Sequence, residues 1–220
     1  MRNTRSVTSH QDEPAVRAAY DEVADTYADH FRSTEPELPV ELAVVAHFAS
    51  LVGGERRVLD AGCGAGRMMP VLAEHGCRVE GVDLSSEMVR RSRRDHPEHP
   101  AQVASIADLP FADASFDGVF SWYSTIHTPQ PHLPAAVREL RRVLRPEGLL
   151  LVAFQCGEGV RDVSDAYRRH GHDVVLHRWN RKADDMAQAL EAAGLAVVAR
   201  LERAAAGHER DAQAVLVARA

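Results

Sequence analysis

The chain has 220 residues, 45% of them hydrophobic, with a formal net charge of −6 at pH 7. That is enough apolar material for one domain with a full core, and an acidic balance with no basic tail speaks against a nucleic-acid groove. Cys63, Cys77 and Cys156 are odd in number and never spaced C-x-x-C, so neither disulfides nor zinc is indicated. No leader-like segment and no apolar run long enough to span a bilayer stands out, so the expectation is a cytoplasmic protein without a membrane partner.

Taken in order, residues 1–10 are polar and read as a disordered tail. Residues 12–31 and 37–52 read as amphipathic helices, with Pro36 and Pro39 marking the break between them. Strands and helices then alternate. Strands are expected near 57–61, 78–82, 101–104, 116–121 and 148–154, and helices near 67–76, 85–95, 132–145 and 180–193. Such alternation implies a parallel sheet with helices on both faces. The end differs: Leu195–Leu201 and Ala214–Ala218 are two strands with no helix between them, which predicts an antiparallel pair placing the last strand beside the fifth. Residues 11–220 therefore read as a single domain, with 11–52 as a helical lid and 53–220 as the sheet core.

The first strand runs into Asp60-Ala61-Gly62-Cys63-Gly64-Ala65-Gly66, and the second ends in Gly81-Val82-Asp83. Glycines at 62 and 64 permit a tight turn with no Cβ between backbone and ligand, and a carboxylate at the tip of the second strand is placed to accept both hydroxyls of a ribose. A dinucleotide fingerprint needs a glycine where Arg67 stands. Asp60 would repel a pyrophosphate but attract an ammonium or a sulfonium. S-adenosylmethionine carries both cations and no phosphate.

On these residues the chain resembles the class I S-adenosylmethionine-dependent methyltransferases, in the small bacterial type with D-x-G-C-G-x-G. Asp83-Leu84-Ser85-Ser86-Glu87-Met88, Leu109-Pro110-Phe111, Ser115-Phe116-Asp117 and Glu139 to Gly148 look like its later motifs. The resemblance implies a Rossmann-like α/β fold: a seven-stranded, mostly parallel sheet, an antiparallel C-terminal strand and an N-terminal helical lid. It also implies that Asp60 holds the methionine ammonium, Gly62 and Gly64 give close backbone approach, and Asp83 takes the ribose. Leu84 and Met88 would flank the adenine, although a methionine at helical spacing is also ordinary core. The acid that many relatives place at the adenine amine falls on Ser105, so either Ser105 with the Ile106 amide reads the base or Asp108 does. Tyr20 and Tyr27 share one helix face and look like the lid that reaches the methionine carboxylate; the other reading is two rings packing the helix down.

After the fourth strand come Ser121-Trp122-Tyr123-Ser124-Thr125-Ile126-His127, with Ser121 beside the cofactor, at the mouth where the resemblance places the acceptor. His127 is the candidate base, because imidazole titrates near neutral pH; the alternative is a structural histidine bonding a neighbouring loop. Tyr123 is placed to orient the acceptor or cap the cofactor. His170 and His172 lack a third ligand at useful spacing, so no metal is expected. The reading is methyl transfer to a small molecule through oxygen or nitrogen by a monomer or homodimer. The rivals are a protein or peptide acceptor and a binding module without transfer.

Overall fold

The computed structural model describes residues 12–207 and 209–220, so the tail at 1–10 lies outside the described residues. Seven strands form the main sheet: β1 (Arg57–Ala61), β2 (Arg78–Asp83), β3 (Ala101–Val103), β4 (Phe116–Trp122), β5 (Leu144–Cys156), β8 (Ala196–Arg203) and β9 (Ala212–Arg219). Their order is β3-β2-β1-β4-β5-β9-β8; the first five are parallel and β9 lies antiparallel between β5 and β8. The strand order reverses beside β1, which opens a crevice at the C-terminal ends of β1, β2 and β4.

Strand residues alternate between two cores. Leu150, Val152 and Phe154 of β5 face α5 (Leu133–Arg142) and α7 (Ala183–Ala192), while Leu149, Leu151 and Ala153 face α2 (Pro39–Leu51) and α3 (Met69–Glu74). The central β4 is buried along its whole length, whereas the edge strand β8 alternates exposed and half-buried residues. The sixth expected helix starts three residues late because Arg181 stays extended, bridged to Cys156.

The expected helix 132–145 stops at Arg142, and Leu144 already pairs with Phe116. Pro146 explains the early stop, since it disfavours helical backbone at the residue before it. The ladder then skips to Gly118 opposite Leu149, which leaves Arg145–Gly148 as an irregularity. A second departure lies in 157–179, which holds a two-stranded ribbon of β6 (Val160–Asp162) and β7 (His177–Trp179) around the short α6 (Asp165–Arg168).

The first helix, α1 (Glu13–His30), crosses the crevice. Val16, Ala19 and Val23 pack on Val174 and Leu176 of the insert, and Ala24 and Ala28 pack on Ala65 and Met88. Its acidic residues recur one turn apart and meet α4 (Ser86–Asp95). Asp21 accepts from Ser85 Oγ at 2.6 Å and from the Glu87 amide at 3.1 Å, which places a carboxylate at the positive N-terminal end of α4. Arg91, 3% exposed, donates to Asp25 at 2.8 Å, Asp29 at 2.9 Å and Asp95 at 3.0 Å.

Arg91→Ala leaves acids that water can reach, so a loss of about 1–3 kcal/mol is expected, concentrated on α1. Native-state hydrogen exchange should show faster exchange across α1 with the central strands unchanged. Unaltered protection of α1 would show that apolar contacts alone hold it.

Candidate active site

The glycine turn is fixed by its neighbours. The amides of Gly62 and Cys63 both donate to the Val82 carbonyl, at 2.8 and 2.9 Å. Asp83 Oδ2 accepts from the Gly64 amide at 2.8 Å, and its Oδ1 accepts from the Ser85 amide at 2.9 Å. Gly62 has φ +86°, and a Cβ there would lie 2.2 Å from Ser124 Cβ, so the first glycine admits no side chain. Gly64 has φ +54°, and a Cβ there would meet only Tyr27 Cε1, at 3.8 Å. A side chain at 64 would project into an open cradle.

That cradle belongs to a cavity of about 1010 Å³ under α1, at the upper end of small-molecule sites. Gly62, Gly64, Asp83, Leu84, Met88, Ser105, Ile106, Tyr20 and Tyr27 line it, together with Tyr123 and His127. Ser105 Oγ donates to Glu13 Oε1 at 2.6 Å, whereas Asp108 is exposed and does not line the cavity. Ser121 does not reach the wall either: it is fully buried, and its hydroxyl bonds Ser124 Oγ at 2.6 Å, with Ser124 forming the surface. Asp60 lines an adjoining hollow of about 40 Å³ with Tyr27, Gly64, Arg67 and Trp122.

Burial dominates the electrostatics. Asp60 is pushed up to about 8, first by desolvation and then by Asp83, against the pull of Arg67. Asp83 is pushed up to about 6 by desolvation, against its amide hydrogen bonds. Two neighbouring carboxyls that resist ionisation form a site that gains most when a cation arrives.

Arg67 played no positive part in the sequence reading, and it is the missed site residue. It lines both cavities and makes a two-pronged ion pair with buried Glu37, at 2.6 and 2.8 Å, which Trp122 Nε1 joins at 3.1 Å. Its signal was the charge itself: an arginine just past a glycine turn, facing a helix break that carries glutamate.

His127 is half-buried, and its tautomer follows from its partners. Nδ1 lies 2.7 Å from the His177 carbonyl, which only accepts, so Nδ1 carries the proton and Nε2 the lone pair. The Tyr20 hydroxyl, 2.7 Å away, donates to Nε2. Desolvation, with smaller contributions from Arg178 and Arg181, lowers His127 to about 4. Tyr123 presents its ring to the cavity while its hydroxyl donates to Glu41 Oε1 at 3.1 Å, tying this loop to α2. Among the described residues no group of three or more His, Cys, Asp or Glu could hold a metal ion.

The family described as "Methyltransferase domain" matches residues 59–152. A malonyl-[acyl-carrier protein] O-methyltransferase of Enterobacter lignolyticus is 32% identical over 179 residues, covering 80% of this chain and 68% of that one. The chain belongs to the S-adenosylmethionine-dependent methyltransferases. A namesake from Erwinia pyrifoliae is 34% identical over 170 residues, 75% of this chain and 60% of its own length. The chain thus spans 60% to 68% of the length of these two relatives. The solved 1,6-didemethyltoxoflavin-N1-methyltransferase of Burkholderia thailandensis, with bound 1,6-didemethyltoxoflavin and S-adenosylhomocysteine, superposes with TM-score 0.69 at 18% identity. It covers 99% of this chain and 92% of that one, a likeness of fold alone.

The family's methyl donor fits the residues present. The Gly64 cradle is open, the acidic hollow suits its cations, and Leu84, Met88 and Ile106 give an apolar slot beside Asp83.

The raised carboxyls make stability depend on pH in a definite direction. An unfolded Asp titrates near about 3.9, so between roughly pH 4 and 8 the folded chain holds the extra proton on Asp60. Stability of the unliganded protein should therefore fall as pH rises through that window, with Asp83 contributing below about pH 6. Melting curves at pH 5 and pH 8 should show a drop of several degrees that Asp60→Asn largely removes. Equal drops in both proteins would mean that Asp60 ionises normally.

Proposed function

We propose that this chain transfers a methyl group from S-adenosylmethionine to an oxygen or nitrogen of a small acceptor. One observation carries this reading: the cavity runs without interruption from the Gly64 cradle to the Tyr20–His127 pair and the 157–179 insert. It has room for donor and acceptor together. The reading has the chain working in the cytoplasm, without nucleic acid, as a monomer or homodimer.

In this assignment Asp83 accepts from the ribose hydroxyls, using lone pairs left over from its two amide bonds. Asp60 faces the ammonium across the small hollow, and Arg67 with Tyr27 meets the carboxylate. Leu84, Met88 and Ile106 pack the adenine, whose edge Ser105 and the Ile106 backbone read; exposed Asp108 has no part in it. Ser121 supports Ser124 instead of touching the cofactor. The bound donor supplies a methyl group on a sulfonium, already a good leaving group. The chain's task is alignment and exclusion of water, which in favourable cases lowers a barrier by on the order of 7 kcal/mol. The α1 helix is the lid that provides both.

His127 takes up a proton through Tyr20 in this scheme. The acceptor's proton passes to the Tyr20 oxygen as the Tyr20 proton passes to His127 Nε2, which leaves a neutral tyrosine and an imidazolium. Tyr123 shapes the mouth, with its hydroxyl held by Glu41.

The test is calorimetric and kinetic. S-adenosylhomocysteine should bind and NAD should not, and Asp83→Ala should weaken the former by about tenfold or more, as expected for losing charge-assisted bonds. Wild-type affinity in that variant would remove Asp83 from the site. His127→Ala should cut turnover roughly a hundredfold with cofactor affinity preserved. The wild-type rate should show no inflection between pH 5.5 and 8 from this group, because it stays neutral down to about pH 4. An inflection near about pH 6.5 that vanishes in His127→Ala would contradict this placement.

A further inference from the structure

The insert carries a second charged cluster in the cavity, and the cofactor assignment leaves it unused. In the β6–β7 ribbon Arg161 stands directly opposite Arg178. Like charges in that position destabilise a strand pair. A single carboxylate bridges them: Asp211 Oδ1 accepts from Arg161 Nη2 at 2.7 Å, and Asp211 Oδ2 accepts from Arg178 Nη2. All three residues line the cavity, and within this trio two guanidiniums share one carboxylate, an excess of one positive charge.

Donors are left over as well. Arg161 Nε is buried with no partner, while Arg178 Nε is spent on Asn180 Oδ1 at 3.1 Å. Beside the cluster, Gln155 of β5 pairs in register with Gln213 of β9, and both line the cavity. The Oε1 atoms of both are buried and unpartnered, and Gln213 is only 5% exposed. Buried polar atoms without partners are costly, and a terminal amide can offer a ligand either a donor or an acceptor.

We propose that the acceptor is a small organic acid whose carboxylate docks between Arg161 and Arg178. The inference rests on the methyl-transfer reading above and names the acceptor class for it. A guanidinium fork matches a planar carboxylate, and an excess of one charge within the trio matches a monoanion better than a dianionic phosphate. The neighbouring amides then meet the hydroxyl or amide groups flanking the carboxylate. Arg178 follows His177, whose carbonyl accepts the hydrogen bond from His127 Nδ1, so the anchored acid lies beside the Tyr20–His127 pair. From that anchor its nucleophilic atom reaches toward the glycine turn.

The experiment is calorimetry on the full chain saturated with S-adenosylhomocysteine, using matched probes: 3-hydroxybenzoate against 3-hydroxybenzamide, and 3-hydroxyhexanoate against its amide. Each acid should bind about tenfold or more tightly than its amide. Arg161→Met and Arg178→Met should erase that preference while leaving S-adenosylhomocysteine affinity unchanged. Asp211→Asn removes the competing carboxylate and should tighten acid binding, a gain that no folding defect would imitate. Acids that bind no better than amides, a preference surviving either arginine substitution, or an Asp211→Asn chain that binds acids no more tightly would each overturn the proposal. Failure of S-adenosylhomocysteine to bind would instead strike the cofactor reading. The acid–amide comparison repeated without it keeps the two failures apart.

Discussion

The Asp83 carboxylate holds the site together. One oxygen fixes the Gly64 amide and the other the Ser85 amide, so a single side chain joins the glycine turn to the start of α4. Without it the two amides would lose their partners, and the turn would have no reason to keep its left-handed glycines in register with β2. The same bonds leave a carboxylate facing the cavity in a setting too dry for it to ionise freely. With Asp60 behind the turn, the parallel sheet gathers two carboxyls at its C-terminal edge and withholds the water that would let them ionise freely. Such a site is poor at resting and good at receiving a cation.

What closes over that edge comes from distant parts of the chain. Acids one turn apart along α1 engage the N-terminus of α4 and Arg91, which turns the helix so that Tyr20 and Tyr27 face the cavity. The insert supplies the opposite wall, with Val174 and Leu176 against α1 and the His177 carbonyl against His127. The Tyr20–His127 bond therefore needs both α1 and the insert in place, which couples the covering of the crevice to the contact on which the proposed proton transfer rests.

The sheet was legible in the sequence because its strands are buried on both faces and read as apolar runs, and because no helix separates the last two. The glycine turn and Asp83 were legible because backbone geometry restricts which residues stand there. The ribbon at 157–179 was not: its three-residue strands carry too little alternation to register, and unlike the equally short β3 they lie outside the regular succession of strand and helix. The choice between Ser105 and Asp108 turned on which way a bend points, and spacing does not encode that. The sequence places Ser121 beside the cofactor, where the expected strand ends, yet its hydroxyl is taken by Ser124 three residues later. Tyr20 and His127 were each noticed, but their contact spans 107 positions and could only emerge from the fold. The structure also gives His127 a character that imidazole alone does not suggest: burial holds it neutral far below its usual range.

The central claim is that Asp60, buried behind the glycine turn, waits largely protonated for a cationic nucleoside, and proton counting tests it most directly. Titration of S-adenosylhomocysteine at pH 7, in buffers of different ionisation enthalpy, gives the protons exchanged on binding. The ammonium should drive ionisation of Asp60, releasing a substantial fraction of one proton, and adenosine, which lacks the ammonium, should release far less. Binding without proton release, or equal release for both ligands, would contradict the account.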